Sequence, residues 1–292
     1  MIAILPDKFW LWINKKCKVL PHPFNQAENG AMNLNYSPWE YSYAKSQKGL
    51  HAFEETLGNL RDFIKGKKIA DLACGGGGKS IYLLSLGAKH VKGCDFSETF
   101  IKQAQNFAQT KKCSNQCEFI VGDGENTPYK DNEFDVVLVL SVLEHTPTPK
   151  KMLMEAMRIL KPGGYILFNT EGYYHWLGHH LWDALPIPWL HLFTSEKQRI
   201  RLYRKVIKNF PDGKARDNFR IGKNKKGREE ISYLNHLTLR HLESILCLPK
   251  SSLINYKVNH FNNPLFRMLG KMPILREMFH ESILGIIKKT EN

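Results

Sequence analysis

The sequence is poor in several features, and each absence narrows what it can be. No stretch approaches the ~18 uninterrupted apolar residues that a helical membrane span requires. The longest apolar run, Phe134 to Leu143, is broken by Asp135 and Ser141. No transmembrane helix is expected. Near the start, Asp7 and Lys8 fall where a secretory leader would need its apolar region, and no small-residue cleavage site follows before Leu20. Cysteine is sparse: Cys17, Cys74, Cys94, Cys113, Cys117 and Cys247 form no C-x-x-C pair. Cys113 and Cys117 have no further Cys or His beside them to complete a zinc set, so a metal is not expected and a reduced, cytoplasmic setting is. Carboxylates are short against cations, 28 Asp and Glu to 42 Lys and Arg, a net charge of +14. Such a surface attracts something anionic: nucleic acid, acidic lipid, or a phosphorylated or carboxylated substrate. Internal repeats and low-complexity tracts are missing as well.

What is present reads as a folded protein. Of 292 residues, 42% are hydrophobic and 11% aromatic, close to globular averages and far from disordered chains. From Lys68 the pattern alternates short apolar runs with helical periodicity, as a parallel sheet with crossover helices requires. Strands are expected near Lys68–Ala73, His90–Asp95, Cys117–Val121, Phe134–Leu140 and Tyr165–Thr170, and helices near Lys79–Leu86, Ser97–Gln109 and Lys150–Leu160. Ser97 is a fair N-cap, and Lys161-Pro162-Gly163-Gly164 should stop the preceding helix. The fold class is therefore α/β, with a Rossmann-like, mostly parallel sheet of seven strands and helices on both faces. Four segments are expected: an N-terminal helical cap (1–66), the core (67–171), an inserted lid (172–235), and a return to the sheet (236–292). The return would use a helix at Thr238–Leu246 and strands at Ser252–Val258 and Ser282–Lys288.

The most informative stretch is Asp71-Leu72-Ala73-Cys74-Gly75-Gly76-Gly77-Gly78-Lys79-Ser80, at a strand-to-helix junction. Consecutive glycines let a ligand approach main-chain N–H groups at the positive end of a helix. Read literally, Ala73 to Ser80 is a phosphate-binding P-loop, with Lys79 for phosphate and Ser80 for magnesium. Against that reading, Asp71 sets a carboxylate before the glycines, and no acid closes the Phe134–Leu140 strand to orient a magnesium ion. A dinucleotide-binding G-x-G-x-x-G can also be laid on the run, a weak match alone.

Further acids follow: Asp95 ends Val91-Lys92-Gly93-Cys94-Asp95-Phe96, and Asp123 ends Val121-Gly122-Asp123-Gly124. A carboxylate at the second strand end can accept both hydroxyls of a ribose. Taken singly, each acid could also be a loop or helix-cap carboxylate. With Phe134–Leu140, Ser141-Val142-Leu143-Glu144-His145 and Lys161-Pro162-Gly163-Gly164, the stretch from 67 to 171 resembles the class I S-adenosylmethionine-dependent methyltransferases. Asp71, Ala73, Gly75 and Gly77 lie at the positions of that family's D-x-G-x-G-x-G loop, with Ala73 replacing its first glycine. The resemblance implies S-adenosylmethionine as cofactor, held by Asp71, Ala73, Cys74, Gly75, Gly77, Asp95, Phe96, Asp123, Gly124 and Ser141. It implies an enzyme, and the chain generally resembles methyltransferases of bacterial envelope-glycan and secondary-metabolite pathways. Quinone-biosynthesis methyltransferases resemble the chain around Leu143-Glu144-His145 and use an extra acid with a divalent metal there. Ser141 stands at that position here, so metal dependence is not implied.

For the chemistry, His145 is the candidate general base, since imidazole titrates in the useful range for an oxygen or nitrogen acceptor. Alternatively, Glu144 and His145 only cap the loop before Thr146-Pro147. In the lid, Tyr173, His175, Trp176 and His179 are the candidate acceptor contacts, though such aromatics also commonly pack an insertion. Lys197, Arg199, Arg201, Arg204, Lys205, Lys208, Lys214, Arg216, Arg220, Lys223, Lys225, Lys226 and Arg228 form a basic stretch. It is a solvated face, a phosphate holder, a membrane contact or an RNA contact. No RNA-recognition module is evident, and Leu185 to Phe193 tilts the expectation toward a small-molecule, glycan or lipid-linked acceptor. Near the start, Phe9, Trp10, Trp12 and Ile13, with Lys15, Lys16 and Lys18, raise peripheral contact with the inner face of an anionic membrane. The alternative to an enzyme is a nucleoside-cofactor-binding module whose basic lid associates with RNA or membrane.

Overall fold

The computed structural model describes residues 5–17, 49–210, 213–224, 226–231 and 234–291. Lys18, Lys225 and residues 18–48 of the expected cap lie outside them. In chain order the elements are α1 (Asp7–Cys17), α2 (Glu54–Leu57), α3 (Leu60–Ile64), β1 (Lys68–Leu72), α4 (Gly78–Ser85), β2 (His90–Asp95), α5 (Glu98–Thr110), β3 (Cys117–Val121), β4 (Phe134–Leu140), α6 (Pro149–Ile159) and β5 (Leu160–Thr170). Then follow α7 (Leu190–Phe193), α8 (Glu196–Ile207), α9 (Gly213–Arg220), β6 (Ile221–Lys223), β7 (Glu229–Ile231), α10 (Leu239–Ile245), β8 (Ser251–Asn259), α11 (Pro264–Gly270) and β9 (Ser282–Lys289). They divide into two compact units. One takes the described part of the N-terminus with Glu171–Arg240 and Val258–Ser282, and the other holds the remainder.

The larger unit carries a seven-stranded sheet in the order β3-β2-β1-β4-β5-β9-β8. Strands β1 to β5 run parallel, and β9 pairs antiparallel to β5. The expected Rossmann-like architecture is therefore present. Strand order reverses between β1 and β4, the switch point outside whose carboxyl ends ligands bind in open α/β sheets. Sheets covered on both faces need strands that are apolar throughout, and β4 (Phe-Asp-Val-Val-Leu-Val-Leu) is buried along nearly its whole length. On one face Leu50, Phe53, Leu60, Ile64, Tyr82 and Leu83 pack on the sheet, and on another Ile81, Ile101, Ala104, Phe107 and Phe119 form a second cluster. Helix α5 follows from its sequence: the Ser97 hydroxyl accepts the Phe100 N–H at 3.3 Å, and Ile101, Ala104, Phe107 and Ala108 repeat at three- and four-residue spacing on the buried side.

The structure corrects several expectations. The helix does stop before Lys161, but the strand expected from Tyr165 starts at Leu160, so Lys161 to Gly164 lies inside β5: Phe134 pairs with Leu160 and Val136 with Tyr165, and the extra residues loop out within the pairing. Gly163, at φ +77°, permits that excursion. The N-terminal residues also do not act as one cap. Residues 49–66 belong to the sheet unit, whereas α1 belongs to the other, where Trp10 and Asn14 are buried and the Asn14 amide donates to the Ala184 carbonyl at 3.2 Å.

That smaller unit has its own core of Trp10, Leu181, Leu185, Ile187, Leu190, Ile200, Leu202, Tyr203 and Ile207. Residues 171–189 cross it as successive turns, without helix or strand. Much of the basic stretch is spent internally: Arg201 and Lys205 on Asp7, Arg204 on Asp217 and Glu229, and Arg216 and Arg220 on Asp183. Lys197, Lys208, Lys214, Lys223, Lys226 and Arg228 are exposed. Residues 258–282, expected in the sheet, belong here: the Glu277 carboxylate accepts the N–H groups of Leu239 and Arg240, and the Gly172 N–H donates to His280 Nε2.

Candidate cofactor site

The glycine loop joins β1 to α4 at the switch point. Ala73, Gly75 and Gly77 adopt φ of +60°, +53° and +77°, and only glycine does so without strain. The two motif glycines serve different ends. A Cβ on Gly77 would sit 2.9 Å from the Ala104 Cβ, so this glycine lets the loop close on α5. A Cβ on Gly75 would meet nothing within 4 Å, which leaves open space above the loop there. The Cys74 N–H donates to the Cys94 carbonyl at 3.1 Å, fixing the loop to β2, while the Cys74 side chain is buried beneath it. Burial pushes that thiol far up, so it stays protonated and inert.

Asp71, at 0% exposure, accepts a hydrogen bond from the Ser80 hydroxyl through Oδ2 at 2.7 Å. Its Oδ1 is buried without any partner. Burial raises the Asp71 carboxyl, opposed by the Lys79 charge and the Ser80 bond. Lys79 Nζ donates to the Leu140 carbonyl at 2.9 Å, tying the loop's helix to the end of β4. The two residues a P-loop would offer to phosphate and magnesium are thus both committed to holding the fold.

At the end of β2, Asp95 accepts the Gly75 N–H and the Ser97 N–H, each at 2.9 Å, through different oxygens. Phe96 follows at 54% exposure, and Val121 ends β3 similarly bare. Asp123 is exposed and accepts the Glu125 N–H at 2.8 Å. Gly124 runs close to α6, where a Cβ would come 2.8 Å from the Met152 methyl carbon. Glu125, not singled out from sequence, accepts the Thr148 N–H at 2.5 Å and the Thr146 hydroxyl, so it joins the turn after β3 to the turn after β4.

At the exit of β4, Ser141 takes φ +53° and donates its N–H to Asn169 Oδ1 at 2.8 Å. Asn169 is a second residue the sequence did not flag. Glu144 is buried with the Thr170 hydroxyl donating at 2.6 Å, and burial pushes its carboxyl up to about 7 against that bond. His145 is half-buried, its N–H on the Val142 carbonyl at 2.8 Å.

The proposed acceptor residues all lie in the smaller unit. His179 is fully buried with Nδ1 accepting the Leu181 N–H at 3.1 Å and Nε2 against the Ile187 carbonyl at 3.2 Å, so both nitrogens serve the fold. His175 is buried too, accepting the Leu177 N–H, with the His280 ring 5.5 Å away. Tyr173 and Trp176 are half-buried; Tyr173 packs 4.2 Å from His236 and 4.9 Å from His191, and Trp176 edges onto Phe261. Among the described residues no three His, Cys, Asp or Glu side chains are grouped as a metal site.

The donor set decides what kind of ligand suits the loop. Carboxylates stand at or within two residues of the ends of three adjacent strands, one with an unpartnered oxygen, and the lysine is already bonded. A polyphosphate would be repelled, whereas a ligand with a cationic amine, ribose hydroxyls and an amino-bearing base finds acceptors. Bare Phe96 and Val121 offer apolar surface to a flat base. These are the traits of a nucleoside-cofactor domain of Rossmann-like kind, and the residues fit S-adenosylmethionine.

Comparison with known proteins carries this further. A profile described as a methyltransferase domain matches residues 70–168. Sterol 24-C-methyltransferase ERG6B of Gibberella zeae is 28% identical over 163 residues, 56% of this chain and 40% of that protein. Ubiquinone biosynthesis O-methyltransferase of Coxiella burnetii is 36% identical over 109 residues, 37% and 44% of the two chains, and norajmaline N-methyltransferase of Rauvolfia serpentina 34% identical over 103 residues, 35% of each. The chain thus spans less than half the length of these curated relatives. Among solved structures, a candidate S-adenosylmethionine-dependent methyltransferase from Listeria monocytogenes superposes with a TM-score of 0.52 at 19% identity, covering 85% of this chain and 99% of that one. The [4+2]-cyclase SpnF gives 0.52 at 14%, covering 85% and 81%; both show the shared fold. Residues 70–168 thus carry a methyltransferase domain, set in the class I, Rossmann-like fold.

Proposed function

We propose that the protein moves the methyl group of S-adenosylmethionine to an oxygen of a small-molecule, glycan or lipid-linked acceptor, with nitrogen or carbon as the alternatives. The observation that supports this best is the set of carboxylates Asp71, Asp95 and Asp123 around a glycine loop whose Lys79 and Ser80 are already bonded within the fold. When bound, the cofactor supplies an electrophilic methyl on a cationic sulfur. The chain's part is to hold it, bring the acceptor lone pair into line with the breaking bond, and keep water out. Asp71 favours the cationic amine, Asp95 accepts the ribose hydroxyls, and Asp123 meets the base. His145, at the exit of β4, accepts the proton of an oxygen acceptor as it is methylated. The printed names of the relatives include C-, O- and N-methyltransferases, so likeness in the core does not choose the atom.

Titration calorimetry with S-adenosylmethionine, its demethylated product, NAD and ATP with magnesium tests the first part. Tight binding of the first two alone is expected, and preference for ATP with magnesium would overturn it. Transfer of labelled methyl groups into acceptor panels tests the second, since binding without transfer favours a cofactor-binding module. In that assay His145→Ala is expected to lower turnover ~10²-fold with cofactor affinity unchanged. Wild-type rates would remove His145 from the mechanism.

A further inference from the structure

Helix α1 shows two faces of different character. Trp10 and Asn14 point inward, and Leu11, Ile13 and Cys17 pack partly on the smaller unit's core. The opposite stripe consists of Lys8, Phe9, Trp12, Lys15 and Lys16, all exposed and at three- to four-residue spacing, with exposed Leu5 one turn ahead. Trp12 is 55% exposed and Phe9 38%. Phe193, at 52%, stacks on Trp10 with ring centroids 6.4 Å apart and extends the bare aromatic patch.

The charge around this patch is one-sided. The helix has a single acid, Asp7, and it is consumed: Arg201 grips both oxygens at 2.7 Å, and Lys205 adds a third bond at 2.6 Å. Two cations on one carboxylate leave a surplus, and exposed Lys197 stands one turn before Arg201 on α8. Exposed Trp and Phe side chains rimmed by lysines, with no free carboxylate among the described residues of the patch, match a bilayer interface. There aromatic rings settle at headgroup depth and lysines meet anionic lipid.

We propose that Leu5, Phe9, Trp12 and Phe193, rimmed by Lys8, Lys15 and Lys16, form a docking surface for an anionic lipid bilayer. The sequence pointed to Trp10 and Ile13 as well, but these face the core and hold the helix in place. The surface does not depend on the reaction proposed above.

Flotation of the full-length protein with vesicles of phosphatidylglycerol and phosphatidylcholine at about 1:3 tests it, since each basic side chain near such a surface adds measurably to binding. Wild type is expected to float with these vesicles, and far less with phosphatidylcholine alone or in high salt. The double variant Phe9→Ser and Trp12→Ser is expected to lower partitioning ~10-fold or more, and the triple variant Lys8→Gln, Lys15→Gln and Lys16→Gln comparably. Far-UV circular dichroism verifies folding, and Phe193→Ser on the neighbouring helix provides a second probe if the double variant unfolds. Failure of wild type to float, or floating by the variants as well as wild type, overturns the assignment. So does concentration-dependent self-association lost in the Trp12 variant without vesicle binding, which would make the patch a contact between copies of this chain.

Discussion

The two units bury opposite kinds of titratable group. The sheet unit encloses carboxylates, with Asp71, Asp95 and Glu144 nearly inaccessible, whereas the smaller unit encloses His175, His179, His191 and His280 together with Arg199. Burial raises the carboxyls of Asp71, Asp95 and Glu144, and it lowers all four imidazoles. Both effects disfavour the charged form, but they respond to acid in opposite directions. Protons ease the burial of these three carboxyls, and they oppose the burial of these four imidazoles. Within one chain, the ligand-holding sheet and the aromatic unit beside it in sequence should therefore part ways as pH changes.

Acid provides the largest effect with which to break that comparison. His191, moved from 6.5 to about 4 by burial and by the Arg199 charge, is neutral in the fold, with Tyr173 and His236 around it. Its contribution is whole above 6.5 and is lost as pH falls toward 4, on the order of 3 kcal/mol for this ring alone. Hydrogen exchange on the full chain at about pH 5 should open peptides from 173–207 while those from 68–140 stay protected. Equal opening in both would erase the contrast. Next in size, Asp95→Ala should weaken S-adenosylmethionine binding ~10²-fold by calorimetry, as expected for losing a charged acceptor. His191→Phe should leave that affinity untouched.

The strands were legible because a covered parallel sheet demands nearly continuous apolar runs: β2, β3 and β4 have the bounds their sequences predict, and β1 ends one residue early. The acids at successive strand ends were legible for the same reason, since a strand's end fixes where the next side chain emerges. Side-chain bonds between distant turns carry no such pattern. Nothing in the spacing marks Glu125 as the acceptor for Thr146 and Thr148, or Asn169 as the partner of Ser141. An amphipathic helix likewise declares that it has an apolar face without naming the core it will meet, so the sequence alone does not separate α1 from a cap over the sheet. His179 resembled a pocket residue because histidine beside tryptophan looks alike in a cleft and in a core, and only its bonds to Leu181 and Ile187 distinguish them.

Smaller effects sharpen the contrast. Glu144, raised from 4.5 to about 7, contributes stability that is whole below 4.5 and lost as pH rises through about 7. Glu144→Gln, which keeps an acceptor for Thr170, should flatten the pH dependence of urea unfolding between 4.5 and about 7 relative to wild type and stabilise the sheet unit by about 1–2 kcal/mol at pH 8. Ala73→Gly relieves a left-handed alanine at φ +60° but loosens the unfolded chain, for a net gain of about 0.5 kcal/mol and a small rise in Tm. A fall in Tm would mean that alanine is comfortable there.

Glu125 has a mechanical consequence. One carboxylate, by accepting both Thr146 and Thr148, rivets the segment bearing Asp123 to the segment bearing His145. Displacing either piece requires tearing two bonds at once, so the stretch that would greet the base and the stretch that would receive the proton travel as a single plate.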